Sequence, residues 1–366
     1  MKRNSLGTAF LATLSAATMA AALTACGSDN NAGGSGASGD ANCDGKDKLT
    51  AEGSSAQKNA MDGFIAAWGQ ACPGKTLEYN ATGSGTGRNQ FIAGNVDFGG
   101  SDSPLAENQV QPAAQRCGGN PAWNLPVVFG PVALVYNVEG VDGLVLNADV
   151  IARIFNGGIK TWNDPAIAAL NAGKSLPSQP IVPIFRTGES GTTDNFQKYL
   201  AAAAPQSWTQ GAGSTFNGGV GEGANGSAGV QQAVAGSAGS IGYVEKSYVG
   251  NLSAAQIDTG SGAVELTDET AGKAISAAKF AGEGNDLVLD LKSLYATKEP
   301  GAYPLVLATY EIVCSKGYDA ETAAAVKSFL KVAAGQGQAS LSAAGYVPLP
   351  DAFKQRLVTA IDAISA

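Results

Sequence analysis

The sequence predicts an α/β protein folded as two lobes, and three observations carry that expectation. The chain has 366 residues, more than a single hydrophobic core usually organises. Short apolar or β-branched runs alternate with stretches of helical periodicity, the pattern of an α/β rather than an all-β protein. Several of these runs open into Ser/Gly-rich loops, at the end of an open α/β sheet where ligands collect. The strongest case is FRTGESGTTDNF, Phe185 to Phe196. There a strand (Ile181, Val182, Ile184, Phe185) meets a turn and then a helix with Phe196, Tyr199 and Leu200 on one face. The free N–H groups and positive dipole end of such a helix start form an anion site. Arg186 adds a planar fork suited to oxyanions, although a plain N-cap beside a surface arginine would have the same sequence.

The N-terminus reads as an export signal over residues 1–25. Lys2 and Arg3 precede an uncharged apolar run from Leu6 to Leu23, which stops at Leu23-Thr24-Ala25-Cys26. That ending resembles the lipobox of bacterial lipoproteins, which implies lipidation of Cys26; a membrane-spanning anchor is the rival reading. Residues 26–46 follow as a flexible tether, since GSDNNAGGSGASGDAN cannot bury enough surface to fold.

Composition narrows the function. Hydrophobic residues make up 44% of the chain and charged ones only 15%. The formal charge is −8, and removing Lys2 and Arg3 from the 23 basic residues, against 31 acidic ones, makes it −10. Nucleic acid and anionic membrane surfaces are therefore not expected partners. An anion could still bind, through local dipoles and hydrogen bonds rather than long-range attraction. There is no histidine, so no Ser–His dyad can activate Ser190 and no His-based metal site exists. Neither cofactor nor metal is expected. Ser190 also lies in GESG, which is not the G-x-S-x-G elbow. Asp97 and Asp102 form a possible acid–base pair, read instead as strand-end carboxylates. Apart from Cys26, four cysteines remain: Cys43, Cys72, Cys117 and Cys314. In an exported chain they read as two disulfides. Three pairings are open, with Cys72–Cys117 and Cys43–Cys314 favoured.

Past the tether, Lys48 to Glu52 is a strand entering Gly53-Ser54-Ser55-Ala56 and a helix carrying Met61, Phe64, Ile65 and Trp68. Thr76 to Asn80 is a second strand, ending in ATGSGTG before a short helix at Phe91 and Ile92. Val96 to Gly99 is a third, opening into Gly100-Ser101-Asp102-Ser103-Pro104. Asn124 to Asn137 reads as two strand segments joined at Gly130-Pro131, where a second lobe could begin. Residues 147–172 read as helical, with Trp162 to Pro165 forming a turn and helix start. Residues 211–229 are a Gly-rich ordered loop, followed by a helix at Val230–Ala235 and a strand in SIGYV. Tyr303 to Cys314 reads as a pair of strands returning to the first lobe, and helices at Ala320–Ala333 and Asp351–Ile364 close the chain. Gly69 to Thr76 matches the P-loop pattern but lies between a helix and a strand in the wrong order, so it is a chance match.

GSGTGRNQFIAGNVDFGGSDSPL, RTGESGTT and SIGYVE together resemble the phosphate-binding lipoproteins that feed bacterial ABC phosphate transporters. The resemblance spans nearly all of the chain after the tether. It implies a two-lobed periplasmic-binding-protein-like (type II) fold, with lobe I at 47–130 and 305–366 and lobe II at 131–304. Inorganic phosphate would lie between them, bound by Ser55 and the N–H of Ala56, by Ser84 and Asp102, and by Arg186, Ser190, Gly191 and Thr192. It further implies a monomer with ABC permease subunits as partners, held outside the cell membrane by its lipid. Many members carry an aspartate two residues after the arginine. Here Gly188 stands there with Glu189 next, so either Glu189 or another group steadies Arg186. Other tetrahedral oxyanions (sulfate, molybdate), an exported phosphatase acting through Ser190, and a surface adhesin are the alternatives.

Overall fold

A computed structural model describes residues 42–282 and 284–366. The expected signal, Cys26 and the tether up to residue 41 lie outside the described residues.

Alternating apolar residues make Lys48–Gly53 a strand with one face inward. It pairs in parallel with Thr76–Asn80 on one side and Phe98–Ser101 on the other. The return strand Val306–Cys314 runs antiparallel to Phe98–Ser101 and to the first part of Ala122–Asn137. The rest of that long strand pairs antiparallel with Ser240–Glu245, which continues in parallel to Val182–Arg186 and Glu222–Ala224. One mixed sheet thus serves both lobes of the fold, α/β as expected.

The two strands expected between Asn124 and Asn137 are one strand of 16 residues. Gly130-Pro131 does not end it, because the pairing partner changes there. Pro131 lies opposite Val306, and Val132 lies opposite Glu245. A proline, which lacks the ladder N–H, is tolerated where one ladder hands over to the next. The pair of strands expected at Tyr303–Cys314 is likewise a single buried strand. ATGSGTG is loop only as far as Gly83, and Ser84 already begins the Ser84–Ile92 helix. The short strand Glu222–Ala224 lies within the stretch read as loop.

The favoured disulfide pairing is wrong. The bridges are Cys43–Cys72 and Cys117–Cys314. Strand register explains both. Lys48 pairs with Thr76, so the residues four or five places upstream of each are neighbours. Ala122 pairs with Cys314, and Cys117 caps the helix just before Ala122.

Candidate functional site

Parallel register brings the ends of Lys48–Gly53 and Phe98–Ser101 together, and their loops meet the start of the Ser84–Ile92 helix. Ser84 donates to Asp102 Oδ2 at 3.1 Å, and its oxygen accepts the Asp102 N–H at 3.0 Å. Ser54 also donates to Oδ2, at 2.7 Å, and Thr309 on the return strand donates to Oδ1 at 2.8 Å. Three of roughly four carboxylate acceptor sites are thus filled by hydroxyls. Asp102 is fully buried. Burial, and then the charge of Glu245, push its pKa up to about 6 against the pull of those three hydroxyls. The Ala56 N–H donates to Ser54 Oγ at 3.0 Å. Ser55 Oγ lies 3.1 Å from Ser227 Oγ across the cleft.

The opposite wall is the start of the Gly191–Ala203 helix. Ser190 caps it, accepting the Thr193 N–H at 3.2 Å. The N–H groups of Gly191 and Thr192 have no intrahelical acceptor at this end. Arg186 is buried at the end of its strand. Its Nη1 reaches Thr192 Oγ1 at 3.4 Å and Ser227 Oγ at 3.3 Å, and Nε has no hydrogen-bond partner among the described residues. Thr192 donates to Glu245 Oε1 at 2.5 Å. Glu189 faces the other wall instead, where its carbonyl accepts the Gly85 N–H at 3.0 Å. Arg186 is therefore steadied by Thr192, Ser227 and, through Thr192, Glu245.

The walls touch. Besides Ser55–Ser227, Asn195 Nδ2 donates to the Asp102 carbonyl at 2.7 Å and Tyr248 donates to the Ser55 carbonyl at 3.0 Å. A Cβ on Gly191 would overlap Ser84 Oγ and the Asp102 side chain. All eight residues expected at the site, Ser55, Ala56, Ser84, Asp102, Arg186, Ser190, Gly191 and Thr192, fall in this one cluster. Chemically it offers hydroxyls, helix-start N–H groups and one guanidinium to an anion, and one carboxylate to a proton the anion carries.

Sequence reasoning passed over Ser54, Ser227, Glu245 and Thr309. Two left a signal: Thr309 interrupts an apolar run on the return strand, and Glu245 ends SIGYVE on a buried strand. Ser227 had none within its Gly-rich stretch. Asp97 and Asp102 do not pair: Asp97 accepts from Lys46 and Thr50, and Asp102 from Ser54, Ser84 and Thr309.

A profile of the PBP superfamily domain matches residues 29–336. Phosphate-binding protein PstS 3 of Mycobacterium leprae is 51% identical over 376 aligned residues, covering 100% of this chain and 100% of that protein. PstS of Pasteurella multocida is 31% identical over 290 residues, covering 78% of this chain and 81% of its own. Among solved structures, a phosphate-binding protein from Stenotrophomonas maltophilia superposes with a TM-score of 0.66. It is 20% identical, with 86% of this chain and 94% of that one covered, a likeness of fold.

Proposed function

The chain belongs to the PstS phosphate-binding proteins of the PBP superfamily, and from that premise we propose that it captures inorganic phosphate between its lobes and delivers it to an ABC permease. The observation that carries this reading is the convergence of all eight expected residues on one buried, donor-lined chamber. A buried anion costs several kcal/mol unless it is fully hydrogen-bonded, and this arrangement supplies the bonds. Ser55, Ala56, Ser84 and Asp102 hold the anion from lobe I, and Arg186, Ser190, Gly191 and Thr192 from lobe II. The lobes divide at Gly130-Pro131 and again between Pro304 and Leu305, with the Lys279–Asp290 hairpin reaching onto lobe I through Phe280 and Phe353. Cleavage before Cys26 and its lipidation tether a monomer to the outer face of the membrane. No helix among the described residues is long and apolar enough to cross a membrane.

The protein binds phosphate without turning over phosphoesters. Ser190 spends its hydroxyl oxygen as an N-cap acceptor, and with no histidine in the chain there is no imidazole base to activate it. Equilibrium dialysis against labelled phosphate should find one equivalent held tightly, with no hydrolysis of p-nitrophenyl phosphate. Steady hydrolysis would favour the phosphatase.

A further inference from the structure

Glu245 stands at the crossing of the lobes. It is the last residue of its strand and pairs with Val132, where the long strand changes partner. It is fully buried. Oε1 accepts the Thr192 hydroxyl proton at 2.5 Å, and Oε2 has no hydrogen-bond partner among the described residues.

This arrangement has the wrong polarity for an anion. Thr192 has one hydroxyl proton, and it is committed to Glu245, so toward the chamber the hydroxyl can offer only lone pairs. The charges point the same way. The charged or titratable groups around Glu245 are Arg186, linked to it through Thr192, and Asp102, Tyr243, Tyr248 and Tyr346. A second cation, Arg88, lies behind Asp102, bonded to Ser101 and Gln109. Carboxylates thus already face both cations before any ligand arrives: Glu245 and Asp102, with Asp194 and Glu189 also acting on Arg88. An added anion leaves the closed site with excess negative charge, and a buried carboxylate in that position neutralises by taking a proton.

We propose that Glu245 takes up a proton from solvent when phosphate binds, donates it in a hydrogen bond to Thr192 Oγ1, and so turns the Thr192 hydroxyl proton onto the phosphate. No bond to phosphorus forms or breaks; one proton moves from water to a Glu245 oxygen, and one hydrogen bond reverses direction. The roles of the two carboxylates divide. Asp102 accepts the proton that the phosphate brings, and Glu245 accepts the one that solvent supplies. This rests on the phosphate reading above and deepens it, because it makes Glu245 a positioning residue that couples capture to pH.

The test is calorimetry of phosphate binding in buffers of different ionisation enthalpy, at about pH 8.5, where free phosphate is the dianion. The parent should take up about one proton per phosphate, and its affinity should fall about tenfold per pH unit. In Glu245→Gln the amide donates to Thr192 permanently, so uptake should drop to near zero and the pH dependence should flatten. Infrared difference spectra of the parent should gain a protonated-carboxyl band on adding phosphate, and Glu245→Gln should lack it; the parent spectrum gives an answer even if the variant folds poorly. No uptake in the parent, or full uptake in Glu245→Gln, would overturn the proposal. A parent that binds no phosphate at all would instead overturn the functional reading.

Discussion

The two walls of the chamber are built to different degrees of completion. On the lobe I wall Asp102 is met by three hydroxyls from three separate segments, Ser54, Ser84 and Thr309. On the lobe II wall Arg186 has two long contacts, and its Nε and one oxygen of the neighbouring Glu245 have no partner among the described residues. Native proteins rarely leave buried polar atoms unpaired without a functional reason. On the proposed reading, the lobe I wall is a finished template for a proton on the ligand, and the lobe II wall would be completed by the ligand itself. Phosphate touching both should hold the lobes closed, because only differential contact with the two states can shift such an equilibrium.

The largest effect should come from breaking the template. A site built to hydrogen-bond a ligand O–H rejects an analogue lacking it by about 10⁴–10⁵. Asp102→Asn can donate as well as accept, so by calorimetry it should admit sulfate and lose most of that ratio while weakening phosphate far less. Next is the unfinished wall. Arg186→Ala should lose about 2–5 kcal/mol of phosphate affinity, since truncating one partner leaves buried charge uncompensated. Arg186→Lys should recover only part, lacking the planar fork. Binding by Arg186→Ala within about threefold of the parent would remove this arginine from the site.

Behind the template, Glu311 sharpens the contrast through stability rather than binding. It is buried, and burial above all pushes its carboxyl up to about 8. Against that, the Gln57 side chain pulls its carboxyl down; no geometric hydrogen-bond partner of its two oxygens or of Gln57 Oε1 is found among the described residues, and a protonated Glu311 can donate to Gln57 Oε1. The folded state then holds a proton that the unfolded chain releases from about pH 4.5 upward, so stability is lost as pH rises through that window to about 8. Asp102 adds the same sign between its ordinary range and about 6. Glu311→Gln should flatten the decline and gain roughly 2–4 kcal/mol above about pH 8 in urea unfolding. An unchanged pH profile would mean that Glu311 is already ionised in the fold.

The smallest expected effect lies where the walls meet. Gly191 does not have the positive φ that would demand glycine, so Gly191→Ala should leave the separated lobes unstrained. The nearest atoms its methyl would meet are Ser84 Oγ and the Asp102 side chain across the cleft. Phosphate affinity should fall by about 1–3 kcal/mol, the usual cost of overpacking, with thermal stability of the ligand-free protein unchanged. Equal losses of stability and affinity would show the clash to be internal to one lobe.

The lobe II helix start was legible because its chemistry is local: strand, turn, cap and fork follow one another within Arg186–Thr193. The parallel strands of lobe I were legible for the same reason, each opening into its own hydroxyl-rich loop. Contacts set by long-range register were not. Thr309 reaches Asp102 across 207 residues, and the disulfide pairing follows from which strands lie side by side, which spacing between cysteines does not encode. The strand breaks expected at Gly130-Pro131 and within Tyr303–Cys314 failed similarly. At Gly130-Pro131 the local breaker residues were overridden by a ladder that continues with a change of partner, and Val306–Cys314 pairs with the first part of the long strand throughout, with only a bulge at Thr309/Tyr310.

Competition between sulfate and labelled phosphate on the unmutated protein tests the central claim most directly, that the chamber takes a tetrahedral anion able to give a proton to Asp102. Sulfate carries no proton at neutral pH and would meet the carboxylate lone pairs directly. The expected result is that labelled phosphate stays bound at sulfate concentrations about 10³-fold higher, well inside the rejection such sites achieve. Displacement at comparable concentrations would contradict the role of Asp102 and make the protein a general oxyanion binder.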